Sequence, residues 1–427
     1  MTDIKNNMTA NKMYERSISL PRGTLDLTYQ TNFSGDSKNY ELEDLLGFAQ
    51  RINPKRAFLF VSKVLGRHIP VAPGTMRHAF TDLANLVPDD LPEPILVIGM
   101  AETAVGLSAG VHQALQTRYP NALLLNSTRH AQHNDDNTET LLTTFSEDHS
   151  HASQHLIYQS ADTVTQAQLL GSKTLIMVDD EASTGNTCVN VVTALRNAGL
   201  DQLQQVHLTT LVDWSLNQNQ SHANADDTIA TRLSNIEFHR HHLLSGAWQW
   251  TDAPNPEPIT MPSVDTTEAG SYALGDTGNW GRFPTLDSTD GFAFYLTKFQ
   301  AAFNLFNQQA QSEKASFEKE QLPQRILVLG SNEFVWLPFL LAEWLETQTQ
   351  NATVKFSALT RSPIALGGAI TTMLSFSDNY GLGMTNFAYN VEPNDWDLIV
   401  LCVETSADSV DEMWKDLDNV LVVSPTL

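Results

Sequence analysis

Four apolar residues, an acid pair and a turn of small residues follow one another at Leu175-Ile176-Met177-Val178-Asp179-Asp180-Glu181-Ala182-Ser183-Thr184-Gly185-Asn186-Thr187. A short continuous apolar run that ends in a turn reads as a buried strand, and the small-residue turn reads as a helix start. Buried strand then helix points to an α/β domain with a mainly parallel sheet. Ligands of such sheets bind beyond the carboxyl ends of the strands, where both the acids and the turn stand. Consecutive backbone N–H groups at a helix start favour a phosphate. Ser183, Thr184 and Thr187 add hydroxyl donors, and Gly185 lets the backbone come close. Asp179 and Asp180 cannot face that phosphate, because like charges repel, so they face hydroxyl groups or a metal. A ligand with a phosphate at one end and vicinal hydroxyls in the middle fits both halves: a ribose 5-phosphate. No Gly-Lys-Ser/Thr follows the glycine, which excludes the nucleoside-triphosphate loop of that pattern.

The rest of the chain supports the same class. Phe58–Gly66, Pro94–Met100, Asn121–Asn126, His155–Gln159 and Val206–Trp214 read as strands, with helical spacing over Thr75–Leu86 and Ala101–Gln116. Ser127–Ser153 is polar and without periodicity, which marks a functional loop or a disordered one. A second strand–helix series runs through Arg325–Gly330, Phe334–Glu346, Val354–Thr360, Asp397–Glu404 and Asn419–Ser424. We therefore expect a mobile tail at 1–24, a first domain at 25–245, a linker rich in Pro, Gly, Thr and Asp at 246–279, and a smaller Rossmann-like α/β domain at 280–427.

Charge narrows the partners. The chain has 427 residues, 49 acidic and 25 basic, for a net charge of −24. Such a surface disfavours nucleic acid and anionic membranes, since both require cationic side chains. Cys188 and Cys402 are the only cysteines, too few for a disulfide framework or a Cys-rich zinc site. The N-terminus shows no secretory pattern, and the longest apolar run contains Pro338 and Glu343. A cytoplasmic protein is the expectation.

The 175–187 segment resembles the phosphoribosyl pyrophosphate (PRPP) motif of type I phosphoribosyltransferases. The resemblance implies that Asp179 and Asp180 contact the ribose hydroxyls and hold Mg²⁺, and that Ala182, Ser183, Thr184, Gly185, Asn186 and Thr187 bind the 5-phosphate. Glu181 departs from the family, where an apolar residue is more usual. Gly99-Met100-Ala101-Glu102-Thr103 resembles the pyrophosphate loop, which often contains a cis non-proline peptide; Ala101, Glu102 and Thr103 carry over to it. Arg129, at the end of the next strand, is the chosen pyrophosphate contact, because a guanidinium fork suits phosphate oxygens. The irregular stretch matches the family's mobile loop. Its His130, His149 and His151 are candidates for a lid on an anionic substrate; His149 and His151, with Glu147 and Asp148, are the alternative of a metal group. Asn53–Val71 is similar to a substrate element of orotate-type members, with Lys63, Arg67 and His68 as base or pyrophosphate candidates.

Thr360-Arg361-Ser362-Pro363 spells the signature of the TRSP domain, which follows a phosphoribosyltransferase domain in proteins encoded near tellurite-resistance and stress genes. The resemblance thus implies transfer of ribose 5-phosphate from PRPP to a nitrogenous base, a homodimer by analogy, and stress-operon proteins as candidate partners. A PRPP sensor without turnover and a PRPP synthetase-like enzyme are the alternatives.

The two halves also echo each other. Ile95–Glu102 is like Ile326–Glu333, each followed by a helix, a strand and Thr-Arg, at Thr128-Arg129 and Thr360-Arg361. Thr174–Ser183 parallels Asp397–Ser406, with Cys402 and Val403 opposite the acid pair. The second domain then reads as a decayed copy that keeps the pyrophosphate-type loop and has lost the ribose phosphate site.

Overall fold

The computed structural model describes residues 12–31, 40–51, 56–131, 141–146, 154–216, 229, 231–256, 258–264, 277–313, 323–349 and 351–426. In chain order the first half contains β1 (Met13–Leu20), β2 (Gly23–Thr31), α1 (Leu42–Leu45), β3 (Leu46–Arg51) and β4 (Phe58–Ser62). Next come α2 (Pro73–Asn85), β5 (Ile95–Gly99), α3 (Val105–Leu115), β6 (Leu123–Asn126), β7 (Leu141–Phe145) and β8 (His155–Tyr158). It closes with α4 (Thr163–Leu170), β9 (Thr174–Ala182), α5 (Asn186–Asn197), β10 (Gln205–Asp213) and β11 (Glu237–Asp252). The main sheet has the order β1-β2-β11-β10-β9-β5-β6. Its strands from β11 to β6 are parallel, and β2 and β1 join antiparallel. Strands β5, β6 and the apolar part of β9 are buried on both faces. That is the environment a continuous Val/Ile/Leu run requires.

The second half contains α6 (Phe292–Glu313), β12 (Arg325–Gly330), α7 (Trp336–Gln348), β13 (Thr353–Ala358), β14 (Ile364–Ala365), β15 (Met373–Ser377), β16 (Thr385–Tyr389), β17 (Leu398–Cys402), α8 (Glu412–Lys415) and β18 (Val420–Val423). Its parallel sheet has the order β13-β12-β17-β18. The fold is α/β in both halves. Among the described residues no helix is long and apolar enough to cross a membrane.

Three observations differ from the sequence reading. Residues 13–20, expected in a mobile tail, form β1 and pair along their whole length with β2. The linker expected from 246 begins later, because β11 continues to Asp252 against β2. The irregular stretch contains β7, which pairs with β8 as a hairpin.

The halves share one hydrophobic core. Phe80 of α2 lies edge-on to Phe339 of α7 at 5.4 Å. Arg77 donates to both carboxylate oxygens of Glu343 at 2.8 and 2.5 Å, and its guanidinium lies 5.4 Å from the Trp336 ring centroid. Strand β14 adds to the edge of β3, so the second half extends the small sheet β14-β3-β4 of the first.

Candidate functional site

The carboxyl ends of β5, β6 and β9 surround a cavity of about 380 Å³. Its floor is the end of β9. Here Asp179, Asp180 and Glu181 run into the turn, with Asp179 paired to Thr210 and Glu181 to Val212 of β10. The Asp180 carboxyl is pushed up to about 6, first by burial and then by the neighbouring Glu181 charge. Asp179 Oδ1 accepts the Asp180 N–H at 2.9 Å. The chain then turns through Ser183 and Thr184 to Gly185, which has φ 74° and caps the first turn of α5. All residues from Ala182 to Thr187 line the cavity, so the helix start and the acid pair share one space.

The opposite side is built by Ala101, Glu102, Thr103 and Arg129, which line the same cavity. The Ala101–Glu102 peptide bond is cis. Ala101 donates its N–H to Ser127 Oγ at 3.0 Å, which ties the loop after β5 to the end of β6. Glu102 is buried, and its two oxygens are taken by Arg67 and by Arg361, whose Nε donates at 2.9 Å. Burial would raise its pKa, but the guanidinium groups of Arg67, Arg361 and Arg129 outweigh that and hold it at about 2. Arg67 also donates to the Asn332 carbonyl at 2.5 Å.

Not every candidate is here. His68 lines the cavity, and burial, followed by the Arg67 charge, lowers it to about 3, so the imidazole is neutral. Lys63 points away and donates to the Glu43 carbonyl at 2.8 Å on the surface. His130 does not line the main cavity; its ring stacks on Tyr380 at 4.5 Å beside a smaller one. His149 and His151, with Glu147 and Asp148, lie outside the described residues. Thr360 and Ser362 reach the cavity from the second half, while Arg361 stands behind Glu102.

The third wall was missed. Arg56 forks onto Glu181 at 2.7 and 3.2 Å, and Trp214 donates its indole N–H to the same carboxylate at 3.0 Å. Phe60 stacks on Trp214 at 4.3 Å, and Arg51 and Trp248 complete this side. The third acid in Asp179-Asp180-Glu181 was the available signal; its partners come from distant strands.

Residues 45–246 match the family described as phosphoribosyl transferase, and residues 298–420 match the family described as TRSP domain, C-terminal to that transferase. The chain carries a phosphoribosyl transferase domain followed by a TRSP domain. Comparison with curated proteins finds no match. Among solved structures, the adenine phosphoribosyl transferase of Trypanosoma brucei, in complex with AMP, pyrophosphate and ribose-5-phosphate, is 12% identical with a TM-score of 0.33, covering 54% of this chain and 86% of that one. The Leishmania tarentolae enzyme gives 12% and 0.30 over 48% and 85%, and the Giardia lamblia enzyme with 9-deazaadenine gives 12% and 0.29 over 47% and 96%. The cavity thus belongs to the phosphoribosyl transferase domain, with one strip of wall from the TRSP domain.

Proposed function

We propose that this chain transfers ribose 5-phosphate from PRPP to a planar nitrogenous base and releases pyrophosphate. The observation that carries the reading is the placement of two unlike anion sites on one cavity with an acid pair between them in role. The 182–187 turn and the start of α5 suit a 5-phosphate. The acid pair suits ribose hydroxyls, and the Ala101–Thr103 loop with Arg129 suits the leaving pyrophosphate.

Mg²⁺ fits the donors present. Asp179 and Asp180 offer hard oxygen ligands, and among the described residues no group of three or more His, Cys, Asp or Glu is placed to hold a metal unaided. Two carboxylates suit an ion that keeps waters and takes substrate oxygens. When bound, Mg²⁺ would supply neutralisation of the charge on the departing pyrophosphate. Displacement at the anomeric carbon passes through an oxocarbenium-like state, as in glycoside cleavage, and needs no protein nucleophile. The work of the chain's own residues is positioning: the turn fixes the sugar's phosphate end, the acids its hydroxyls, and Arg129 the leaving group. Of the aromatic rings that line the cavity, Trp248 is exposed and offers a face for a base.

Pyrophosphate exchange into PRPP with a panel of bases tests the reading. Exchange is expected with at least one base, and Asp180→Asn is expected to lower turnover about 10²-fold with the fold retained. Binding without exchange for any base makes the chain a sensor.

A further inference from the structure

The two parallel sheets repeat one order. β6-β5-β9-β10 in the first half corresponds to β13-β12-β17-β18 in the second. The likeness extends to single bonds. Ser127 donates to the Gly99 carbonyl at 2.9 Å, and Leu359 donates to the Gly330 carbonyl at 2.8 Å. Thr128 exchanges both backbone bonds with Leu156 of β8, and Thr360 does so with Phe387 of β16. Thr128-Arg129 and Thr360-Arg361 therefore occupy the same station after the second strand, each beside a hairpin, β7–β8 or β15–β16. Pairing of Cys402 with Gly330, as of Val178 with Gly99, makes Val403 and Glu404 the counterparts of Asp179 and Asp180. They stand one residue beyond the Cys402-Val403 pair that comparing letters suggests.

The stations are exchanged across the interface. Glu333 of the TRSP domain accepts the Arg129 N–H at 2.8 Å and the Thr128 hydroxyl at 2.5 Å. Glu102 of the first domain accepts from Arg361, and Thr360 lies 3.5 Å from the Arg67 guanidinium that also holds Glu102. Each half's loop glutamate is thus held from the other half's Thr-Arg segment, Glu333 by both residues and Glu102 by the arginine, the pattern of an isologous contact. The cavities follow suit. The open one has Glu102 and Asp180 on its own side and Thr360 and Ser362 opposite. The other has Glu333 and Glu404 on its own side and Thr128 and His130 opposite. That second cavity is only about 10 Å³. Arg282 is ion-paired with Glu404 there, and Tyr380 donates to Glu404 at 2.8 Å.

We propose that the TRSP domain is a closed twin of the transferase domain, facing it across a pseudo-two-fold axis, and that its Arg361 and Glu333 are positioning residues for the pyrophosphate end of the open site. Arg361 braces the loop through Glu102, and Glu333 braces the Thr128-Arg129 segment. Neither is needed at the 5-phosphate turn, which only the first domain supplies. The proposal rests on the function given above, since it assigns the ends of the cavity as that function does.

Calorimetric titration of the full chain with inorganic pyrophosphate and, separately, with ribose 5-phosphate tests it. Arg361→Ala is expected to weaken pyrophosphate binding at least tenfold and ribose 5-phosphate binding less than twofold. Glu333→Gln, nearly isosteric and so less disruptive to folding, is expected to show the same selective loss. On a Glu102→Gln background, Arg361→Ala is expected to add less than twofold, because the two act through one contact. Wild-type binding with equal losses for both ligands, no loss for either, or additive effects in the double variant overturns the positioning role alone. A wild-type chain that binds neither ligand overturns the proposed function and this role with it.

Discussion

Gly185 shows how one residue sets the 182–187 turn. Its φ of 74° lies in the left-handed region, and a Cβ there would meet Ile229 Cδ1 at 2.6 Å and Arg240 Nη2 at 3.1 Å. Gly185→Ala is expected to cost about 1–2 kcal/mol in backbone strain before any displacement of Ile229. Urea unfolding measures that cost, and titration with ribose 5-phosphate should show a weaker site. Glu102 sets the other end through charge. Its folded pKa of about 2 lies below the ordinary 4.5. A depressed carboxyl contributes stability that is fully present above pH 4.5 and is lost as pH falls through 2. Glu102→Gln should therefore be less stable at pH 7, where Arg67 and Arg361 lose their counter-charge in a buried place. The gap to wild type should narrow between pH 4.5 and pH 2, the interval between the ordinary and the folded values; urea midpoints across that range check it.

Elements carry the contact between the halves. Helix α7 packs against α2 and α3, and Arg77 bridges α2 to α7 by its fork onto Glu343 and its place over Trp336 and Phe339. The pair is about a quarter exposed, so solvent screens it in part, and Arg77→Ala is expected to cost about 1–2 kcal/mol. Chemical denaturation measures this, and an unchanged midpoint counts against the bridge. Element legibility followed burial. Strands β5 and β9, with apolar runs enclosed on both faces, could be read from the letters. Strand β1 could not, because it is an edge strand whose side chains are mostly exposed and so lack alternation. Strand β7 was hidden too; among the described residues it pairs only within its hairpin, and its register is irregular between Leu141 and Thr143.

At the scale of the whole molecule, the shared core makes the halves one folding unit. Ile326, Phe334, Trp336 and Phe339 belong to the same apolar cluster as Phe80, Val97 and Val178. Removing residues 280–427 would leave the Phe80 face of α2 in water, an exposed patch that favours aggregation. The full chain is expected to melt in a single calorimetric transition and the truncated one to precipitate; two separated transitions would show that the halves fold independently. The arrangement also bears on how so acidic a chain would meet the anionic ligand proposed for it. Net charge is −24, yet in the cavity Arg51, Arg56, Arg67 and Arg129 offset the four acids Glu102, Asp179, Asp180 and Glu181 one for one. Cations gathered inside a cleft act through a less screened medium than acids spread over the surface.

By itself, the sequence determined the α/β class and the position of the acid pair, of the 182–187 turn and of the loop at Glu102, because each rests on neighbours along the chain. A strand, a turn and a helix start are local, and their residues must appear in order. Tertiary structure decided which of the other candidates meet them. It brought His68 to the cavity, and it left Lys63 on the surface and His130 beside Tyr380. It joined Arg56 and Trp214 to Glu181, and it set Arg361 on Glu102 across 259 positions of the chain. Such pairs depend on the order of strands in two sheets and on how the sheets face each other. That information lies in the packing of a common core, which no short segment contains.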